Sequence, residues 1–354
     1  MSLKVVSVVG TRPNFVKEFL VQRELKLRGV HEVIVHTGQH YDYEMSKAFF
    51  ESLEIPEPDY HFEIPQRSKV CATAHMMLQL EEVLQKERPD VTLVYGDVNS
   101  AAAGALVSGK MKVPVAHVEG GIRTPSLENP EEINRRVADV VSDVIFTCTP
   151  SATRNLELEN VDPRRICESG DLMKDALETI VAGNEIPVER GEYLVVTIHR
   201  EENCEDRDRL REIVEALVCY RRQIHFPVHP RTRKKLVEFD LIGRLEGSPT
   251  IDLTVPTSYP KFLQLLAGAD KVLTDSGGVR REAFLLGKPT IVPIDLVWFP
   301  EILEAGWKLH VEPDRDELLA AIENFEPTGD HRPEIFGNGQ AHRKIVDRLV
   351  ASYG

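Results

Sequence analysis

The chain has 354 residues, more than one usual core accommodates, so two domains are expected. Hydrophobic residues make up 42% and charged residues 28%, the balance of a soluble globular protein. A net charge of −14 argues against a nucleic-acid partner and against an anionic membrane surface, but leaves room for a local phosphate site.

No apolar run approaches ~20 residues, so no membrane span is expected, and MSLKVVSVVG lacks a signal-peptide layout. The five cysteines (Cys71, Cys148, Cys167, Cys204, Cys219) are scattered and form no Cys-x-x-Cys pair. Neither a disulfide framework nor a zinc site is suggested, and the expected compartment is the cytoplasm.

Strand-like runs lie at Leu3–Val9, Glu32–His36, Val91–Tyr95, Val113–Val118 and Val144–Cys148. Helix-like stretches alternate with them at Phe15–Leu27, Tyr43–Leu53, Lys69–Lys86, Asn99–Lys110 and Glu131–Val141. That alternation predicts a parallel sheet covered on both faces. After a helix-like piece from Asp171, the polar stretch Gly183–Gly191 marks a domain boundary. The pattern restarts at Tyr193–Ile198, with strands expected at Ile224–Val228, Thr250–Leu253, Lys271–Thr274 and Thr290–Pro293. The expected layout is α/β: two Rossmann-like doubly wound domains, residues 1–180 and 181–335, facing a cleft. A final helix within 336–354, about His342–Tyr353, would cross back to the first domain. Ligands of such sheets bind beyond the carboxyl ends of the strands.

Chemistry-bearing residues fall at those ends. The first strand runs into Gly10-Thr11-Arg12-Pro13, where Arg12 either meets a phosphate or is a plain surface residue. Gly104–Lys110 spells Gly-x-x-x-x-Gly-Lys, but Met111 replaces the required Ser/Thr, so a P-loop is rejected. Asp97 follows VTLVYG and Glu119 follows VPVAHV; Glu131 opens a helix after Pro130. Asp97 and Glu131 also suit helix N-termini, whereas Glu119 before Gly120-Gly121 has no capping need. Several acids in one cleft would separate into acid and base roles. His199 ends YLVVTI, and His229 ends the next strand; each is either structural or placed for proton transfer or a phosphate oxygen.

The stretch Leu273–Val292 reads as strand, turn, helix and strand. Asp275-Ser276-Gly277-Gly278 is turn chemistry, and the helix is expected over Val279–Leu286. Two glycines before a helix N-terminus form a natural diphosphate seat, unless this is an ordinary strand-to-helix turn. Glu282, about one turn on, could accept from two ribose hydroxyls.

Seven motifs in order now point one way: GTRP (10–13), HTGQHYDYEMS (36–46), HVEGGIRT (117–124), PEEINRR (130–136), TIHREEN (197–203), HPR (229–231) and LTDSGGVRREA (273–283). The sequence resembles the non-hydrolysing UDP-N-acetylglucosamine 2-epimerases along almost its whole length. The resemblance implies the two-Rossmann-domain, GT-B-like architecture of many sugar-nucleotide glycosyltransferases. It implies reversible inversion at C2, interconverting UDP-GlcNAc and UDP-ManNAc through 2-acetamidoglucal and bound UDP, with neither metal nor cofactor. By match to the family's motifs, Asp97, Glu119, Glu131 and His199 would be catalytic. Arg12, Lys17, Arg136, Ser276, Gly277, Gly278 and Glu282 would bind UDP and substrate. A second UDP-GlcNAc would sit as activator on Gln39, Arg67, Arg200 and His229, facing Glu131 too. The resemblance also implies a homodimer serving surface-polysaccharide synthesis.

Departures from the family pattern bear on the substrate. Asn14 stands where Glu is usual after GTRP, HVEAG has become HVEGG, and Asp171 stands for Asn. A polar family segment has become Ile294-Asp295-Leu296-Val297-Trp298-Phe299-Pro300-Glu301. A 2-epimerase of a modified sugar, such as a diacetamido uronate, therefore stays open. So do two other classes, a glycosyltransferase of the same architecture and a catalytically silent sugar-nucleotide sensor. The retained acids argue against both.

Overall fold

Continuous apolar runs rich in valine suit strands buried on both faces, and they assemble here into two wholly parallel sheets. The computed structural model describes residues 3–39, 57–65, 68–124, 127–294 and 298–354. The helix expected at Tyr43–Leu53 lies outside the described residues.

The first sheet comprises β1 (Lys4–Val9), β2 (His31–His36), β3 (Tyr60–His61), β4 (Val91–Tyr95), β5 (Val115–Gly120), β6 (Val144–Thr147) and β7 (Ile166–Glu168). Their order is β3-β2-β1-β4-β5-β6-β7. The helices between them are α1 (Arg12–Leu27), α2 (Lys69–Glu87), α3 (Asn99–Lys110), α4 (Pro130–Val141), α5 (Pro150–Leu158) and α6 (Leu172–Gly183). The order reverses between β1 and β4, so the crevice where such sheets take ligands opens there. Gly10–Arg12 after β1 and Asp97 after β4 flank it. Gly104, part of the rejected P-loop pattern, lies inside α3, where a Cβ would come within 2.9 Å of Val94.

The second sheet comprises β8 (Leu194–Thr197), β9 (Ile224–Pro227), β10 (Ile251–Thr254), β11 (Lys271–Thr274), β12 (Thr290–Val292) and β13 (Lys308–His310). Its order is β10-β9-β8-β11-β12-β13, with the reversal between β8 and β11. The intervening helices are α7 (Glu201–Cys204), α8 (Arg207–Cys219), α9 (Pro230–Glu238), α10 (Ile242–Glu246), α11 (Tyr259–Ala267), α12 (Gly277–Leu285), α13 (Pro300–Glu304) and α14 (Arg315–Asn324). His199 and the Asp275–Gly278 turn flank this second reversal. The core behind it joins Val196 and Leu273 of the sheet to Leu210, Ile213 and Leu217 of α8.

The chain divides into two compact units, Met1–Ala176 with Glu334–Gly354, and Leu177–Pro333. The last helix, α15 (Ala341–Tyr353), thus belongs to the first unit, as expected. Asp347 on α15 pairs with Arg28 just beyond α1 at 2.7 Å, and His342 Nδ1 lies 2.6 Å from Asp175. Among the described residues, no helix is long and apolar enough to cross a membrane.

Candidate active site

The first unit sets two acids at the ends of neighbouring strands. Glu119 does not follow β5 but lies within it, as a bulge. Pairing with β6 slips between Val118 and Gly120, and Glu119 takes φ +68°. A left-handed conformation at a non-glycine residue costs ~1–3 kcal/mol and persists only where the surroundings hold it. What holds the side chain is Lys17 of α1, whose ammonium pairs with the Glu119 carboxylate while both are almost buried, 6% and 11% exposed. A Cβ placed on Gly96 would lie 3.4 Å from Glu119 Oε2 and 3.7 Å from Lys17 Nζ. The pair therefore abuts the residue before Asp97.

The Asp97 carboxylate accepts from the guanidinium of Arg135, and its carbonyl accepts from Asn134 Nδ2 at 2.9 Å. Arg135 is buried and also donates to the buried Glu132 at 2.7 Å. Burial opposes the charge on Arg135, but Asp97 and Glu132 outweigh it and raise its pKa. Glu132 further accepts from the Thr124 N–H at 2.9 Å and from Arg136 at 2.7 Å. Glu131 sits half-buried in the first turn of α4, which Asn129 caps by accepting the Glu131 N–H at 3.1 Å. Arg136 is engaged by Glu132 and Glu159, the latter at 3.1 Å, and so braces α4.

At the crevice, Asn14 Oδ1 accepts from the Gly10 and Thr11 N–H groups at 3.1 and 3.2 Å, and its Nδ2 donates to the Tyr95 carbonyl. The residue in place of the family's Glu thus ties β1 to β4. Gln39 Oε1 accepts from the N–H and Oγ of Ser100, at 3.1 and 2.9 Å, in the first turn of α3. Arg12 opens α1 in its backbone, but its side chain and all of Arg67 lie outside the described residues.

In the second unit the organising group is Asp275, wholly buried after β11. Its carboxylate accepts from the N–H groups of His199 and Arg200 and from Asn203 Nδ2, each at 3.0 Å. His199 Nδ1 lies 3.4 Å away. The Asp275 carbonyl accepts from Arg200 Nε at 3.1 Å and Arg280 Nη2 at 3.0 Å. Burial and the neighbouring Arg200 push Arg280 down to about 10, against the pull of Asp275. Helix α12 begins at Gly277, two residues earlier than expected, with Ser276 as its cap. A Cβ on Gly277 would come within 2.2 Å of the Trp298 ring, so only glycine fits beneath that indole. Trp298 also stacks under Arg200, 4.7 Å from its ring centre. Glu282 is buried and accepts from the Tyr259 hydroxyl at 2.8 Å. His229 caps α9 by accepting the Arg231 N–H at 3.2 Å, and its ring lies 5.7 Å from that of His199. Burial lowers both histidines, so each favours the neutral form.

Sequence reasoning missed Asp275, Arg135 and Arg280. Asp275 passed for a turn residue, yet an acid directly after a buried strand and before a capped helix was the available signal. The two arginines occupy motif positions without a distinguishing spacing of their own. Among the described residues, no three His, Cys, Asp or Glu side chains gather as a metal site.

Two parallel sheets with helices between their strands, each with acidic or cationic groups at its reversal, define a GT-B-like protein of two Rossmann-like domains. The family model for UDP-N-acetylglucosamine 2-epimerase matches residues 23–350, and the chain belongs to that family. A UDP-N-acetylglucosamine 2-epimerase homolog of Methanococcus maripaludis is 39% identical, over 98% of this chain and 99% of the relative. The UDP-2,3-diacetamido-2,3-dideoxy-D-glucuronate 2-epimerase of Pseudomonas aeruginosa is 36% identical, over 98% and 99%. The crystal structure of Methanocaldococcus jannaschii UDP-GlcNAc 2-epimerase, in complex with UDP-GlcNAc and UDP, superposes with a TM-score of 0.87 at 36% identity, covering 99% of this chain and 100% of that one.

Proposed function

We propose that the protein interconverts UDP-GlcNAc and UDP-ManNAc by inverting C2, without net hydrolysis and without an acceptor. The C2 proton lies beside an acetamido group and is not acidic. Departure of UDP from C1 leaves positive charge there, and the C2 proton then passes to an enzyme base. The pair so formed is 2-acetamidoglucal and bound UDP. Return of a proton to the other face of C2, and of UDP to C1, completes the inversion.

The observation that carries this reading is the placement of Asp97 and Glu119 on neighbouring strand ends, each against a buried cation. Glu131 completes the acid/base set by resemblance, with His199 serving proton transfer or the diphosphate. UDP rests on Ser276, Gly277 and Gly278 at the start of α12, with Glu282 holding the ribose, while the resemblance adds Arg12, Lys17 and Arg136 to the residues that bind UDP and substrate. Arg200 and Arg280, converging on the Asp275 carbonyl, add positive potential to that turn. The resemblance also supports a cytoplasmic homodimer in surface-polysaccharide synthesis, and a second UDP-GlcNAc on Gln39, Arg67, Arg200 and His229.

Incubation with UDP-GlcNAc alone tests the proposal: UDP-ManNAc is expected on chromatography. UDP release that depends on an added sugar acceptor would indicate a glycosyltransferase. Binding with no conversion would indicate a sensor. A second reading is favoured by one observation: Trp298, in the segment that departs from the family, lies over Gly277. With the Pseudomonas aeruginosa relative in view, a UDP-diacetamido-uronate is the substrate to try beside UDP-GlcNAc.

A further inference from the structure

Strand β5 buries one ionisable side chain to which the chemistry above gives no role. His117 is wholly buried. Its Nε2 lies 2.7 Å from the Gly96 carbonyl oxygen and its Nδ1 2.7 Å from Asp139 Oδ1. A carbonyl can only accept, so Nε2 carries a proton. Asp139 Oδ2 accepts from the Gly121 N–H at 3.1 Å and from Arg123 at 2.7 Å. Asp139 is thus ion-paired with Arg123, and the same oxygen takes a second donor from the backbone. Asp139 is therefore a carboxylate and can also only accept. Nδ1 must then carry a proton as well, and an imidazole with two N–H groups is a cation.

Each end of this imidazolium reaches backbone beside one of the two acids. Gly96 immediately precedes Asp97, and its own N–H donates to the Val118 carbonyl at 2.9 Å. The turn that presents Asp97 is thus fastened to β5 by both its donor and its acceptor. Asp139 in turn fixes the N–H of Gly121, two residues beyond Glu119. Its other partner, Arg123, also donates to Glu159 at 2.7 Å. The strained bulge at Glu119 is therefore fastened just past its carboxyl side.

We infer that His117 is a doubly protonated positioning residue, which fixes Asp97 and Glu119 relative to each other by bridging the Gly96 carbonyl to Asp139. Its charge follows from the hydrogen bonds alone, whereas its effect on turnover rests on the epimerase reading.

Ring-nitrogen histidine NMR of the intact protein at pH ~8, above the usual histidine range, tests the charge. One imidazole is expected with both nitrogens protonated, its protons slow to exchange, and that signal should vanish in His117→Gln. A spectrum in which every imidazole keeps an unprotonated nitrogen overturns the inference, whatever the enzyme does. His117→Gln keeps one donor and loses the bridge. It is expected to lower kcat ~100-fold, the scale of an ångström-sized misplacement. KM and UDP affinity should stay within about threefold, since substrate binding is not what is lost. A kcat equal to wild type contradicts the positioning role. Should that variant fail to fold, the wild-type spectrum still decides the charge. Should wild type leave UDP-GlcNAc untouched, the epimerase reading fails while the spectrum still reads His117.

Discussion

The Lys17 ammonium is ion-paired with the Glu119 carboxylate, joining a helix and a strand bulge 102 residues apart in sequence. This pair fixes the direction in which Glu119 points. Glu119→Gln, Asp97→Asn and Glu131→Gln are each expected to lower turnover at least ~100-fold, the usual scale for a lost acid/base group. Lys17→Met should fall in the same direction. Steady-state rates with circular dichroism check this, and a folded variant with near-normal turnover would reduce its residue to a cap or packing partner.

Arg135 joins Asp97 to Glu132 from a buried position. Arg135→Met should leave Glu132 with Thr124 and Arg136 as partners and cost ~3 kcal/mol, as expected when one side of a buried ion pair is removed. Urea unfolding of the first unit's transition measures this. A loss under ~1 kcal/mol would mean those remaining partners suffice.

Glu282 is held in place by Tyr259. Glu282→Ala should weaken UDP binding by ~1–3 kcal/mol, the range for hydrogen bonds to a charged acceptor. Tyr259→Phe should weaken it less, because the carboxylate remains. Titration calorimetry with UDP checks both, and unchanged affinity in Glu282→Ala would remove that residue from the ribose.

Glu18 on α1 is wholly buried, near Glu32, Ser7 and Tyr95, and its pKa lies well above the usual carboxylate range. Burial is the main cause, with Glu32 adding to it. An acid whose pKa rises on folding binds its proton more tightly in the folded state. Its contribution is therefore complete below about 4.3, the unfolded value, and is lost as pH rises toward the folded one. Unfolding free energy should thus decline upward through that window, and Glu18→Gln should flatten the decline. An equally steep decline in the variant would assign it to other groups.

If a second UDP-GlcNAc acts as activator, conversion of UDP-ManNAc alone should start slowly and speed up when a little UDP-GlcNAc is added. His229→Ala should abolish the acceleration more than it lowers the basal rate. Rates already maximal with UDP-ManNAc alone would remove the regulatory role and leave the epimerase assignment standing.

Both sheets were legible because central parallel strands such as Val5–Val9 and Val91–Tyr95 are mostly apolar, each interrupted by a single small hydroxyl residue, Ser7 and Thr92. The edge strands β3, β7 and β13, only two or three residues long, are too short to impose a pattern. The position of Asp97, just past one of those runs, was legible in the same way. The bulge at Glu119 was not, since its positive φ has no local sequence signal and its partner Lys17 lies 102 residues away. Nor was the role of Asp275, whose partners His199 and Arg200 lie 76 and 75 residues away. Helix α12 starts before its expected first residue because Gly277 and Gly278 have low helix propensity, and the Ser276 cap overrides it.

Epimerisation at C2 requires that the C2–H bond break and re-form. Proton NMR of UDP-GlcNAc with the enzyme in deuterated water follows that bond directly. Loss of the C2 proton signal is expected as solvent deuterium enters both UDP-GlcNAc and a growing pool of UDP-ManNAc, with no acceptor present. A C2 proton that persists while the enzyme binds or consumes UDP-GlcNAc would contradict it.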